Sequence, residues 1–411
     1  MGMASSVCDA TLDAMNAQIL IEDREAVKRG ALLGLGFRPF FLMAGIFAVL
    51  LMTTFVLSLL TGVWHYNYFP LFAWHAHEMV FGYSVAVVAG FLLTSVRNWT
   101  GMDTVTGKSL LLLVLLWLAG RIAPAFSMLP GGLIALVDIA FLPVLAAVIL
   151  RPILKAKQHR NLSVPLLLLL MTVGNALVYA EMLEFSFGSV QHGMTIGIGA
   201  LLLLMSVIGG RVMPFFTERG LLGVVVTRRK WVESAATPVI VLWLLFELLF
   251  SAASWTAGAA VVAAVVHGIR LAGWSDLRVW QQPMLWIIHL AYAWLVAGFL
   301  LQGLAALDFM PATTALHGWT AGAVGLFTLG MMARVALGHT GRAIVASPMM
   351  KLAFVLLVLV APVRIVLPML FPALTETALL IAASGWVMAF AIFVWVYTPY
   401  LIRPRADGQA G

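Results

Sequence analysis

From His192 to Arg211 the chain reads HGMTIGIGALLLLMSVIGGR, with no charged residue between the histidine and the arginine. At 1.5 Å per residue a helix over this stretch is about 28 Å long, close to the thickness of a bilayer's hydrocarbon core. The run is far too long for a strand of a membrane barrel. It reads as a helix that crosses a membrane, with a histidine at one interface and an arginine at the other.

The rest of the chain agrees. Of 411 residues, 63% are hydrophobic even with glycine left out, and only 10% are charged. Soluble domains average about 45–50% apolar with glycine included, and about 25% charged. A soluble globule of this size cannot hide that much apolar surface, so an ordinary cytosolic enzyme and a disordered chain are both excluded. Twelve spans are predicted, at about 40–63, 72–97, 108–128, 131–150, 162–184, 190–213, 234–253, 256–272, 283–307, 313–336, 350–372 and 376–400. The predicted fold is an all-α polytopic membrane protein, with residues 1–36 as a polar N-terminal segment, 37–403 as the membrane domain and 404–411 as a tail.

Orientation follows from the basic residues. If the N-terminus is inside, all the lysines and arginines except Arg121 and Arg364 fall on inside segments, and those two lie within spans. Both termini are therefore expected in the cytoplasm, and the number of spans is even. The net charge of +7 is an orientation signal and not a nucleic-acid footprint. The sequons at Asn98 and Asn161 fall on the cytoplasmic side and are discounted. The segment before the first span lacks an apolar signal core, so no cleaved leader is expected. The start from Gly2 to Ser6 fits a myristoylation pattern, a weak one in a chain already anchored by helices. Cys8 is the sole cysteine, which excludes an intrachain disulfide and a cysteine-held zinc or iron–sulfur centre.

The opening stretch has a second copy. His317-Gly318-Trp319-Thr320-Ala321-Gly322, with Leu326, Arg334-Val335 and Thr340, aligns with His192-Gly193-Met194-Thr195-Ile196-Gly197, Leu201, Arg211-Val212 and Thr217 across one two-residue gap. A looser third copy carries His77, Gly82, Gly90, Arg97 and Thr100-Gly101. These are spans 2, 6 and 10, so three four-helix units are expected, at about 37–150, 162–272 and 283–403, around a pseudo-threefold axis.

The repeat sets His75, His77, His192 and His317 at one depth near the outer face, and neutral imidazole is a ligand for metals and for haem iron. These four are the candidate cofactor and metal ligands. His75 and His77 are two residues apart and point about 200° apart on a helix, so both cannot face one metal without distortion. Glu78, one turn from His75, is placed to orient an imidazole. His65 follows span 1 on the outer side. His289 and His339 lie toward the cytoplasmic side and are candidates for a second, inner centre. His159 reads as solvated and His267 as structural.

Among intramembrane charges, Arg121 and Asp138 stand at matching distances on either side of the turn between spans 3 and 4, which predicts an ion pair. Arg364 has no such partner. Arginine forks suit carboxylates, so Arg364 and Arg121 are candidate anchors for haem propionates. Glu247, deep in span 7, is a candidate proton-path carboxylate, and Glu78 a candidate catalytic one. Glu181, Glu184, Asp308 and Glu376 sit at outer helix ends, where solvation explains them. The 21 methionines and 14 tryptophans suit packing and interfacial belts, and no copper-binding methionine motif is read into them.

Several segments resemble the NnrS family: Gly36-Phe37-Arg38-Pro39-Phe40-Phe41, Trp74-His75-Ala76-His77-Glu78-Met79, Gly90-Phe91-Leu92-Leu93-Thr94 through Asn98-Trp99-Thr100-Gly101, Gly210-Arg211-Val212-Met213-Pro214-Phe215-Phe216, and Met332-Ala333-Arg334-Val335 through Gly338-His339-Thr340-Gly341-Arg342. The resemblance covers about residues 34–400 and departs at Arg97, where proline is expected. It implies a bacterial inner-membrane protein that contains haem and copper and is linked to nitric oxide metabolism and nitrosative stress. His75, His77 and His339 carry over from the motifs; His192 and His317 rest on the repeat. The architecture also resembles, more remotely, the catalytic subunit of haem–copper oxidases and nitric oxide reductases. There the pattern breaks, because span 7 has no histidine and span 10 lacks an adjacent pair, so oxygen reduction coupled to pumping is not expected.

The leading expectation is a redox protein with one or two b-type haems, and copper as a further candidate, that binds or reduces nitric oxide. Electrons would come from quinol or a donor protein, and no nucleic-acid partner is expected. The rival is a transporter or channel for an iron or metal complex. Its inverted repeats, however, would need an odd number of helices per unit, whereas these units have four.

Overall fold

A computed structural model describes residues 31–64, 68–126, 128–250 and 254–409. The myristoylation pattern, Cys8 and His65 lie outside the described residues.

Among the described residues, twelve helices are long and apolar enough to cross a membrane. They are α1 (Phe37–Thr61), α2 (Leu71–Thr100), α3 (Gly107–Ala125), α4 (Gly131–Lys155), α5 (His159–Met182), α6 (Ser189–Gly220), α7 (Lys230–Phe250), α8 (Ser254–Trp274), α9 (Pro283–Ala306), α10 (Ala312–His339), α11 (Pro348–Leu370) and α12 (Pro372–Ile402). No strand occurs among the described residues. The predicted spans match one for one. The main difference is α6, which continues past residue 213 to Gly220 with Pro214 inside it. The chain is a multi-pass membrane protein.

Burial separates two kinds of helix. In α2, α6 and α10, 78, 83 and 89% of the most apolar window is buried; in the other nine helices the share runs from 33 to 56%. The three helices that carry the repeated histidine–arginine pattern are therefore the innermost, and the rest form an outer layer. This is why their small residues matter. Without water to drive helices together, membrane helices associate by close backbone packing. Gly174 of α5 faces Gly193 of α6 so closely that a Cβ on Gly174 would sit 2.7 Å from the Gly193 carbonyl oxygen.

The chain ends meet. Arg38, at the start of α1, donates from Nη1 to the carbonyls of Tyr400 (3.3 Å), Leu401 (3.0 Å) and Arg403 (2.8 Å) at the end of α12. These are the carbonyls a helix C-terminus leaves unpaired, and a cation there also answers the helix dipole. Both ends of the bundle thus lie at one face, the one rich in lysine and arginine, called here the basic face. Beside them Gly341 adopts φ +69°, and its next residue, Arg342, covers the Tyr400 ring at 4.4 Å. The motif residues at this face serve as joinery between α1, α10 and α12.

Candidate functional site

The ends of α2 and α10 away from the basic face share a local departure from α-helix. Immediately after His77, residues Glu78–Ser84 form a π-helical segment; immediately after His317, Gly318–Val324 form another. Single π turns inside α-helices occur often at functional sites, because the wider turn re-aims the side chains before it. Gly322 belongs to the second segment, where a Cβ would press on the Trp294 ring at 2.6 Å.

The structure sorts the predicted histidines into different surroundings. His75 and His317 lie within electrostatic reach of each other. Each is an electrostatic neighbour of Arg364 on α11, and His75 also feels His317. The His75 ring stacks on Phe55 of α1 with centroids 4.2 Å apart. Its Nδ1 is buried with no hydrogen-bond partner among the described residues. His317 Nδ1–H donates to the Thr313 carbonyl at 2.6 Å, which fixes the proton on Nδ1 and leaves Nε2 with its lone pair. The Arg364 guanidinium, half-buried in a membrane helix, has no carboxylate partner among the described residues.

His77 faces the other way and is fully committed. Its Nε2–H is shared between Asn175 Oδ1 (2.9 Å) and Asp138 Oδ2 (3.2 Å), and its Nδ1 lies 3.2 Å from Glu78 Oε1. Arg121 donates to Glu78 Oε2 at 2.5 Å and to Asp138 Oδ1, so the ion pair expected across the α3–α4 turn is present and has a second carboxylate. Asn175 Nδ2 completes the ring by donating to Asp138 Oδ2 at 3.3 Å. Phe69, Phe81 and Tyr179 pack around the imidazole at 4.7, 5.3 and 5.6 Å. Glu78 therefore engages the adjacent His77 and not His75, and both terminal nitrogens of Arg121 are taken by side chains of the protein.

The other candidates stand apart. His192 is exposed on α6 and donates to the Gly188 carbonyl at 3.0 Å. His289 donates to the Leu285 carbonyl at 2.9 Å, with Thr217 Oγ1 3.4 Å from its Nε2. His339 packs on Phe37 at 5.7 Å and has Arg405, Arg97 and Arg38 as electrostatic neighbours, surroundings that oppose a metal cation. No group of three or more His, Cys, Asp or Glu side chains able to hold a metal ion occurs among the described residues. Glu247 is half-buried on α7 with no hydrogen bond or ion pair among the described residues.

Sequence reasoning missed Asn175, a lone amide in the middle of an apolar helix, which is itself a signal that a polar partner faces it. It also missed a second polar knot toward the basic face. There Arg270 donates to Glu233, Ser206 and Tyr292, and Tyr292 Oη lies 2.7 Å from His267 Nδ1. His267 Nε2–H donates to the Ala236 carbonyl at 3.0 Å, so both its nitrogens are occupied.

A family model described as NnrS protein matches residues 31–405. The chain belongs to the NnrS family. No curated protein matches it. Within this NnrS protein, the tryptophan–histidine motif at Trp74–Met79 divides its two imidazoles between two jobs. His77 is locked into a buried polar ring, while His75 is left with a buried ring nitrogen that no side chain among the described residues satisfies.

Proposed function

We propose that this chain binds one haem through His75 and His317 and acts as a membrane redox protein of the nitric oxide response, in a bacterial inner membrane. The reading is carried by one observation: two imidazoles on separate inner helices, each with a ring nitrogen that has no hydrogen-bond partner among the described residues, lie within electrostatic reach of one arginine, Arg364, that has no carboxylate partner among those residues. A buried polar atom without a partner is costly and asks for an explanation. A porphyrin supplies one, because its iron takes imidazole nitrogens and its propionates take a guanidinium. The apolar wall under His75, Phe55, suits a porphyrin plane as well.

When bound, haem iron supplies nitric oxide binding and one-electron transfer, with electrons from quinol or a donor protein. The chain's own residues orient and shield. The Thr313 carbonyl holds the His317 tautomer, and Arg364 supplies positive charge in a setting of low dielectric. Of the two candidate proton-handling carboxylates, Glu78 is committed to Arg121 and His77, and Glu247 has no partner among the described residues. A copper centre draws no such support from the donor sets among the described residues.

The test is an optical spectrum and pyridine haemochrome assay on the full chain purified from haem-replete cells. A Soret band is expected in the wild type and in His192→Ala, and its loss in His75→Ala and in His317→Ala. A wild-type protein without haem, or full haem content in both of the latter variants, would overturn the proposal.

A further inference from the structure

We infer that the junction of α2, α6 and α10 is a resting site for a small uncharged gas molecule of the diatomic or noble-gas class. A partly open pocket of about 60 Å³ lies there, lined by corresponding stretches of the three inner helices: Ser84 to Leu92, Leu201 to Ile208 and Val324 to Met331. Its wall is almost wholly apolar, with Val87, Leu204 and Phe327 contributed by the three helices in turn.

Volume alone would admit water, since one water needs roughly 10–15 Å³. Chemistry excludes it. A buried water needs two to four polar partners, about three on average. The two hydroxyls in the wall are both spent within the protein. Ser84 Oγ donates to the Met79 carbonyl at 2.7 Å. Thr328 Oγ1 lies 2.7 Å from the Val324 carbonyl, to which it donates, and accepts from Tyr83 Oη at 2.6 Å. An apolar cavity without hydrogen-bonding groups stays dry and takes up apolar guests such as xenon. Only a small guest fits this one, and charged or strongly polar ligands find nothing to bind.

Placement adds a reason for the cavity to exist. Both π-helical segments end at its rim, at Ser84 and at Val324. From His317 to Val324, and from His75 to Ser84, the helical rise is roughly 10–14 Å. A molecule dissolved in the bilayer core thus has a holding place below the paired imidazoles. The inference stands on the cavity and does not depend on haem being present.

The experiment is xenon binding to the full chain in detergent or nanodiscs, read by xenon-129 NMR and by anomalous scattering from pressurised crystals. One xenon is expected at the junction in the wild type. Val87→Phe, which fills the space, should abolish it, and Leu204→Ala, which enlarges the space, should raise occupancy. If xenon is absent from the wild type, or if occupancy at the junction is the same in the wild type and in folded Leu204→Ala, the inference fails. Because xenon needs no haem, its binding and the haem assay fail or succeed separately.

Discussion

His75 and His77 are separated by one alanine, yet their chemistry diverges because a helix turns about 200° in two residues. The buried ring around His77 closes on itself: hydrogen bonds and ion pairs link Glu78, Arg121, Asp138 and Asn175 to the imidazole and to one another. Removing one member strands the others. Asp138→Ala leaves Arg121 with a single carboxylate and Asn175 without an acceptor. A cost of about 3–5 kcal/mol is expected, as for other broken buried pairs. It should be visible as a lower thermal midpoint in detergent, with haem content per folded protein unchanged. A fall in haem content that matches His75→Ala would tie the ring to the cofactor and contradict the division of labour. The Arg121–Asp138 partnership was legible in the sequence, because equal distances from a tight turn set two residues at one depth. Asn175 was not, because register between α5 and α4 depends on packing across the bundle and leaves no local mark.

Helix existence and order could be read from apolar run length, since a bilayer demands about 20 apolar residues whatever the fold. The π-helical segments could not. An extra residue within a turn alters no composition and little hydropathy, yet it rotates everything before it by about 100° relative to everything after it. That rotation sets the direction in which His75 and His317 point, so the four histidines expected at one place divide into a pair, a locked ring and an exposed His192. Deleting Ala321 from the second segment should convert it toward an ordinary α-helix and swing His317 off the shared site. The expected result is a helical protein by circular dichroism that has lost its Soret band. Retention of a wild-type spectrum by the folded deletion variant would show that the π segment does not aim the ligand.

At the scale of the molecule, the arrangement rests on where charge is allowed. Arg38 binds the terminal carbonyls of α12, so the first and last helices begin and end at the same face. The lysines and arginines outside the helices crowd that face, and the bias in basic loops orients membrane proteins with that side in the cytoplasm. In that orientation His75 and His317, at the opposite ends of α2 and α10, are expected on the side away from the cytoplasm. Single-cysteine labelling decides the orientation. In a Cys8→Ser background, Lys157→Cys lies in the turn between α4 and α5, and Glu184→Cys in the turn between α5 and α6, at opposite faces. Both native residues sit at positive φ, 54° and 63°, in tight exposed connections. An impermeant maleimide added to intact spheroplasts should label Glu184→Cys at once and Lys157→Cys only after lysis. The reverse pattern would invert the molecule and place His75 and His317 beside the cytoplasm.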